Sequence, residues 1–268
     1  MARGRLHKTM VRRWADGVAS GRTPDQVLVE EPIEIRLDDH LVGTTMRTPG
    51  HDYDLAVGYC HSEGLLAGHP VLDVRYCALG TASDANWNVV SVSTGGLAPV
   101  PTPRLTAGTS ACGWCGTDTI DDLATRWEPL DATATAAVDW SIAAVVGDAV
   151  RPTQELFSAT GGAHAAALFD RATGEVRVMR EDIGRHNAVD KVVGSLVLNP
   201  ALLPTDGPGL GLWVSARLGF ELVAKAWSAG IGVVVSVGPP SSLAIETARR
   251  ANIATAGFAR DGRLVIYD

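Results

Sequence analysis

No stretch of this sequence is apolar over a run long enough to cross a bilayer. Its longer apolar runs, such as Ile231 to Val237, stop far short of the roughly 20 residues a spanning helix needs, so a soluble protein with no membrane partner is expected. Basic excess is missing too. The formal charge over 268 residues is −7, whereas a broad nucleic-acid footprint needs clustered Lys and Arg, so no nucleic-acid partner is expected. Cysteine is scarce: Cys60, Cys77, Cys112 and Cys115 are the four present. They read as reduced thiols rather than a disulfide framework. Arg12-Arg13 suggests a twin-arginine signal, but Trp14 to Gly21 supplies no apolar stretch, so no export is read and a cytoplasmic location is expected.

What is present is an ordinary core-forming composition, 46% hydrophobic, enough for one large domain or two modest ones. Residues 1–22 carry Arg3, Arg5, Lys8, Arg12, Arg13 and Arg22 against Asp16 and read as a basic tail. Residues 23–130 read as an α+β domain. Alternation in Ile33-Glu34-Ile35-Arg36-Leu37, a break at Asp38-Asp39 and a resumption at Leu41 predict a hairpin, and residues 52–66 follow with helical spacing. Cys60 falls in that helix as a core residue, and Cys77 in a strand. Proline at 99, 101 and 103 interrupts regular structure before the C-x-x-C, and a short helix is expected from about Thr117.

From residue 131 to 268 the grammar changes. A helix over 138–157, strands at 165–170 and 175–180, a helix over 186–198 and then three strands alternating with two helices predict right-handed crossovers and a mainly parallel sheet. A last strand is expected at Leu264 to Tyr267. Helix, hairpin and successive β-α units are the order of the cytidine deaminase-like fold. Deaminase chemistry does not follow, because it needs H-x-E and C-x-x-C in the same domain, and here Ala-Ala follows His164.

Three segments carry chemistry. Cys112-Gly113-Trp114-Cys115-Gly116 places two thiols between glycines ahead of a helix start that lowers thiol pKa values, which suits zinc binding, dithiol redox work or sulfur carriage. Zinc lacks two further ligands at suitable spacing, so no metal site is expected. The redox reading lacks the apolar strand that should precede the pair. In the second segment, Arg180 to Lys191, Gly184 permits a tight turn, while Arg185, His186 and Asn187 stand at a helix start able to hold phosphate. The bland reading is that Asp182 or Asn187 merely caps the helix. In the third, Ser215 and Arg217 end one strand and Ser241 and Ser242 open the helix after the next, where open parallel sheets bind ligands, although turn chemistry explains such residues equally well.

Val29 to Ile35, Met46 to Gly50, Ser62-Glu63-Gly64, the Cys112 to Gly116 loop, Thr160 to His164, Glu181 to Gly194 and Ala229 to Tyr267 together closely resemble the formate dehydrogenase accessory sulfurtransferase family FdhD, over roughly residues 28–268. The resemblance implies a sulfurtransferase that takes sulfur from a cysteine desulfurase as a persulfide and passes it to molybdenum bis(molybdopterin guanine dinucleotide) for formate dehydrogenase. It implies Cys112 as the persulfide cysteine, Cys115 as its companion thiol, and a homodimer. Cofactor binding is implied at Phe258, Ala259, Arg260, Asp261, Gly262 and Arg263, where guanidinium groups suit phosphates. A simpler guanine nucleotide such as GDP should occupy the same pocket. The alternative is a chaperone that escorts the cofactor without transferring sulfur, its cysteines a redox or metal clip.

Overall fold

Asp16 and Gly17 both take positive φ, 50° and 82°, the geometry of a two-residue hairpin turn in which glycine relieves the second position. In the computed structural model, which describes residues 4–77, 87–101, 120–131, 138–205 and 209–267, this turn closes a ribbon. Strand β1 (Leu6–Val11) pairs antiparallel with β4 (Thr23–Leu28), and β2 (Trp14–Ala15) with β3 (Val18–Ala19). The segment read as a basic tail is therefore paired β structure from residue 6 onward. Its charges hid the strand pattern, and the Asp-Gly turn sets the pairing.

The next hairpin agrees with the sequence. Strands β5 (Glu31–Leu37) and β6 (His40–Arg47) meet at Asp38 and Asp39, which take φ 45° and 66°. Helix α1 (Asp52–Ser62) then covers one face of a sheet ordered β6-β5-β8-β7, where β7 is Asp73–Tyr76 and β8 is Val89–Ser93. Ile33, Ile35 and Leu37 alternate inward from β5 against Leu55, Ala56 and Cys60, all fully buried. Burial pushes the Cys60 thiol far up, so it stays protonated and inert.

After α2 (Ile120–Arg126) come α3 (Trp140–Val150) and α4 (Glu155–Thr160). The single helix expected over 138–157 is broken: Arg151–Thr153 form a short 3-10 turn around Pro152, which cannot continue an α-helix. Strands β9 (His164–Asp170) and β10 (Val176–Asp182) form a hairpin, α5 (Arg185–Leu198) follows, and β11 (Leu210–Val214), α6 (Phe220–Ser228), β12 (Val233–Ser236), α7 (Ser242–Ala251), β13 (Ala254–Arg260) and β14 (Arg263–Tyr267) complete a six-stranded sheet. Its order is β10-β9-β11-β12-β13-β14, with β11, β12 and β13 parallel. Both faces are covered, which explains the nearly continuous apolar strands. Ala166, Leu168 and Leu212 face α5 and α6, whereas Ala167, Phe169 and Trp213 face α3.

Helices α1 and α5 cross with their backbones in contact. A methyl group on Gly58 would fall on the Asp190 carbonyl, and one on Gly194 on the Asp54 carbonyl, so only glycine fits at either position. Gly58→Ala is expected to cost about 3 kcal/mol, the upper part of the overpacking range, because main chain rather than a mobile side chain must move. The urea midpoint reads this, and a wild-type midpoint would show that the helices part freely.

Candidate functional site

Parallel crossovers return the chain from the carboxyl end of each strand into a helix, so residues 215–219 and 237–241 arrive at the same end of the sheet. Main-chain hydrogen bonds stitch these loops together. The Leu218 amide donates to the Pro239 carbonyl at 3.1 Å, Ser241 to Leu218 at 2.9 Å and Gly238 to Ala216 at 3.1 Å. Gly184, Gly219 and Ser241 are the N-caps of α5, α6 and α7; the Ser241 side chain accepts from the Ala244 amide at 3.1 Å. Arg185, Gly219 and Ser241 all border one cleft of about 350 Å³, together with Arg217, Glu221 and Pro240. The dipoles of three helix starts, with two guanidinium groups, suit an anionic ligand, while the Glu221 carboxylate lies at the start of α6.

The C-terminal hairpin stands beside this cleft. Gly257 backs onto the Gly238 carbonyl and Pro240, and the Phe258 amide reaches the Gly238 carbonyl at 3.4 Å. Phe258 is half exposed at φ 55°, where the β13–β14 register slips. A bulky residue with positive φ is uncommon and costs strain. Ala259 is buried in the core below; Arg260 and Arg263 pair across the Asp261-Gly262 turn, and all four of these residues from 260 to 263 are exposed.

Several other expected site residues, Ser215 and Asn187 among them, have inward partners. Ser215 accepts from the Ala165 amide at 2.9 Å, and Ser242 is exposed in the first turn of α7. Asn187 is buried, donating to the Met46 carbonyl at 2.7 Å and to Asp182 Oδ1 at 3.0 Å. Lys191 Nζ donates to Asp182 Oδ2 at 2.7 Å and to the Thr48 carbonyl at 3.0 Å, and the Thr48 amide returns a bond to Asp182 at 3.2 Å. The Gly184 amide also donates to Asp182, at 2.8 Å. Asp182, Asn187 and Lys191 thus bolt β6 to β10 and α5, holding the α5 start in place at the cleft. Glu181 caps α4, accepting from the Leu156 and Phe157 amides at 2.9 and 2.8 Å. Cys112 and Cys115 lie outside the described residues. Glu221 and Pro240 also line the cleft, and their signal in the sequence is their place beside Arg217 and Ser241 at the strand ends.

The model of the FdhD/NarQ family matches residues 28–268. The chain belongs to the FdhD/NarQ family. Similar proteins include "Sulfur carrier protein FdhD" of Streptomyces coelicolor, 43% identical over 96% of this chain and 92% of that one, and its namesake in Anaeromyxobacter dehalogenans, 40% identical over 92% and 88%. A crystal structure assigned to a formate dehydrogenase accessory protein of Desulfotalea psychrophila shares the fold, with TM-score 0.71, 20% identity and coverage of 99% of this chain and 97% of that one.

In this FdhD/NarQ member the cleft is electrically divided. The His186 ring, with Nε2 3.9 Å from Glu221 Oε2, holds the Glu221 carboxyl below its usual value, helped by the helix amide and Arg185 and opposed by burial. That separation is beyond hydrogen-bond reach. Burial, then Arg185 and His186, push His164 below the ordinary histidine range, so its imidazole is neutral near pH 7. One wall is cationic and one corner carries a carboxylate. Among the described residues no helix is long and apolar enough to cross a membrane, and no cluster of His, Cys, Asp or Glu is placed to hold a metal ion.

Proposed function

We propose that the chain is a sulfur carrier and sulfurtransferase serving formate dehydrogenase. Cys112 takes sulfur from a cysteine desulfurase, and the acceptor is molybdenum bis(molybdopterin guanine dinucleotide), bound as substrate at the strand-end cleft. The Cys112 thiolate attacks the outer sulfur of the donor persulfide, the donor's S–S bond breaks, and the donor leaves as thiolate. Attack by the Cys115 thiolate on the inner sulfur then releases hydrosulfide and leaves a Cys112–Cys115 disulfide, so the pair supplies the two electrons.

The observation that carries the cofactor part is the convergence of Arg185, Arg217 and three helix starts on one cleft, beside the hairpin bearing Arg260 and Arg263. The sulfur part rests on the paired thiols and on the name carried by relatives about 40% identical to this chain. The helix, hairpin and β-α order supports a cytidine deaminase-like reading of residues 131–268. A cytoplasmic homodimer belongs to the same reading. Inward ties at Asn187 and Ser215 give those two a positioning role, leaving Arg185, Arg217, Ser241 and Arg260 to touch the ligand.

Calorimetry with GDP and ADP tests the cleft. GDP is expected to bind more tightly than ADP, and Arg260→Ala to weaken GDP by roughly 1.5 to 3 kcal/mol, the range for a hydrogen bond to a charged group. Equal affinities, or no binding of either, would remove the guanine pocket.

A further inference from the structure

The ribbon of β1 to β4 has no core of its own. No residue from 4 to 28 is buried, and all of residues 12–24 are exposed. A two-stranded ribbon is marginal in water unless something covers it. β4 leans on α4, and at the root Arg5 reaches Glu155 at 4.0 Å and Leu28 stands beside Gly162. Large apolar side chains are nevertheless carried outward: Trp14 is 72% exposed and Met10 48%. β1 is bonded to β4 alone among the described residues, so its outer edge presents unpaired main-chain groups.

The register separates the two faces. Thr9 stands opposite Asp25 and Val11 opposite Thr23, and Arg13 closes onto that face with bonds of 2.9 Å to both Asp25 and Thr23. On the other face Lys8 stands opposite Gln26 and Met10 opposite Pro24, with no acid among them. Arg12, exposed, continues the strand toward Trp14. Trp, Met and Arg are the residues enriched where proteins dock. At the tip, Trp14 pairs with Ala19 and Val18 with Ala15, which puts Trp14 and Val18 on opposite faces and leaves no single apolar face to lie in a lipid interface.

We propose that the ribbon is a docking arm that accepts an acidic, extended segment of another protein onto the open edge of β1. Main-chain bonds supply the pairing, Lys8 and Arg12 match the carboxylates, and Trp14 anchors an apolar side chain. A second copy of this chain does not fit, because its described edge strands offer no acidic run. β1 and β6 have no acid, β4 carries Asp25, which Arg13 already holds at 2.9 Å, β14 carries only Arg263, β7 sets Asp73 against Arg75, and β10 balances Arg177 and Arg180 against Glu181 and Asp182. The inference does not depend on sulfur transfer.

Hydrogen exchange of the full chain, followed over residues 4–28, tests it with three probes: a peptide of alternating glutamate and valine, its lysine counterpart, and phosphatidylglycerol vesicles. The glutamate peptide is expected to slow exchange of the β1 amides about tenfold, the other two to leave it unchanged, and Lys8→Glu with Arg12→Glu to erase the effect. Both substituted residues are exposed, so the thermal midpoint should hold. The proposal falls if the glutamate peptide has no effect, if the lysine peptide or the vesicles also slow exchange, or if the slowing survives the double substitution. It falls equally if β1 becomes protected with rising protein concentration alone, which would place a second copy on the edge.

Discussion

Replacing Lys191 by methionine is expected to destabilise the protein by roughly 3–5 kcal/mol, the cost of leaving a buried carboxylate without its cation. Methionine keeps most of the apolar stem, so little packing is lost. Asp182 is fully buried and Lys191 is 1% exposed, so water does not replace the missing charge. Burial drags the Lys191 ammonium below its ordinary range while Asp182, 2.7 Å away, pulls it back. Asp182 would keep its bonds from Thr48, Gly184 and Asn187. Those donors are neutral and do not balance a charge. Arg13 and Asp25 make a pair of similar length, 2.9 Å, but their side chains are 62% and 39% exposed. Arg13→Ala should therefore change stability by less than about 1 kcal/mol. Urea denaturation of the two variants side by side reads the contrast. Equal midpoints would mean that the buried pair does not hold β6 to α5.

Much of the C-terminal sheet is legible from the sequence because local signals agree there. The bounds of α7 follow from a serine cap at Ser241 and a left-handed Asn252, with Ala244, Ala248 and Ala251 turned inward between them. The strand-end positions of Arg185, Arg217 and Ser241 follow from the β-α alternation alone. The Arg180 to Lys191 run is different. Its crowded charges read equally well as a ligand site or a capped helix, and the structure spends Asp182, Asn187 and Lys191 on partners such as Thr48, 134 positions from Asp182 in sequence. No local pattern carries that information. The ribbon is hidden in the sequence for the opposite reason: with no buried residue it has no hydrophobic period, and only Asp16-Gly17 signals it. For Cys112 and Cys115 the sequence and the family remain the whole argument.

Labelled sulfur followed through Cys112 tests the proposed transfer. The full chain is incubated with a cysteine desulfurase and sulfur-labelled cysteine, and the intact protein and its peptides are then weighed. Added sulfur is predicted on the peptide containing Cys112, removable by reductant and absent from Cys112→Ala. Cys115→Ala should still load but fail to release hydrosulfide, because the attacking thiolate is gone. Labelling of Cys112→Ala as fully as the parent protein would contradict the account.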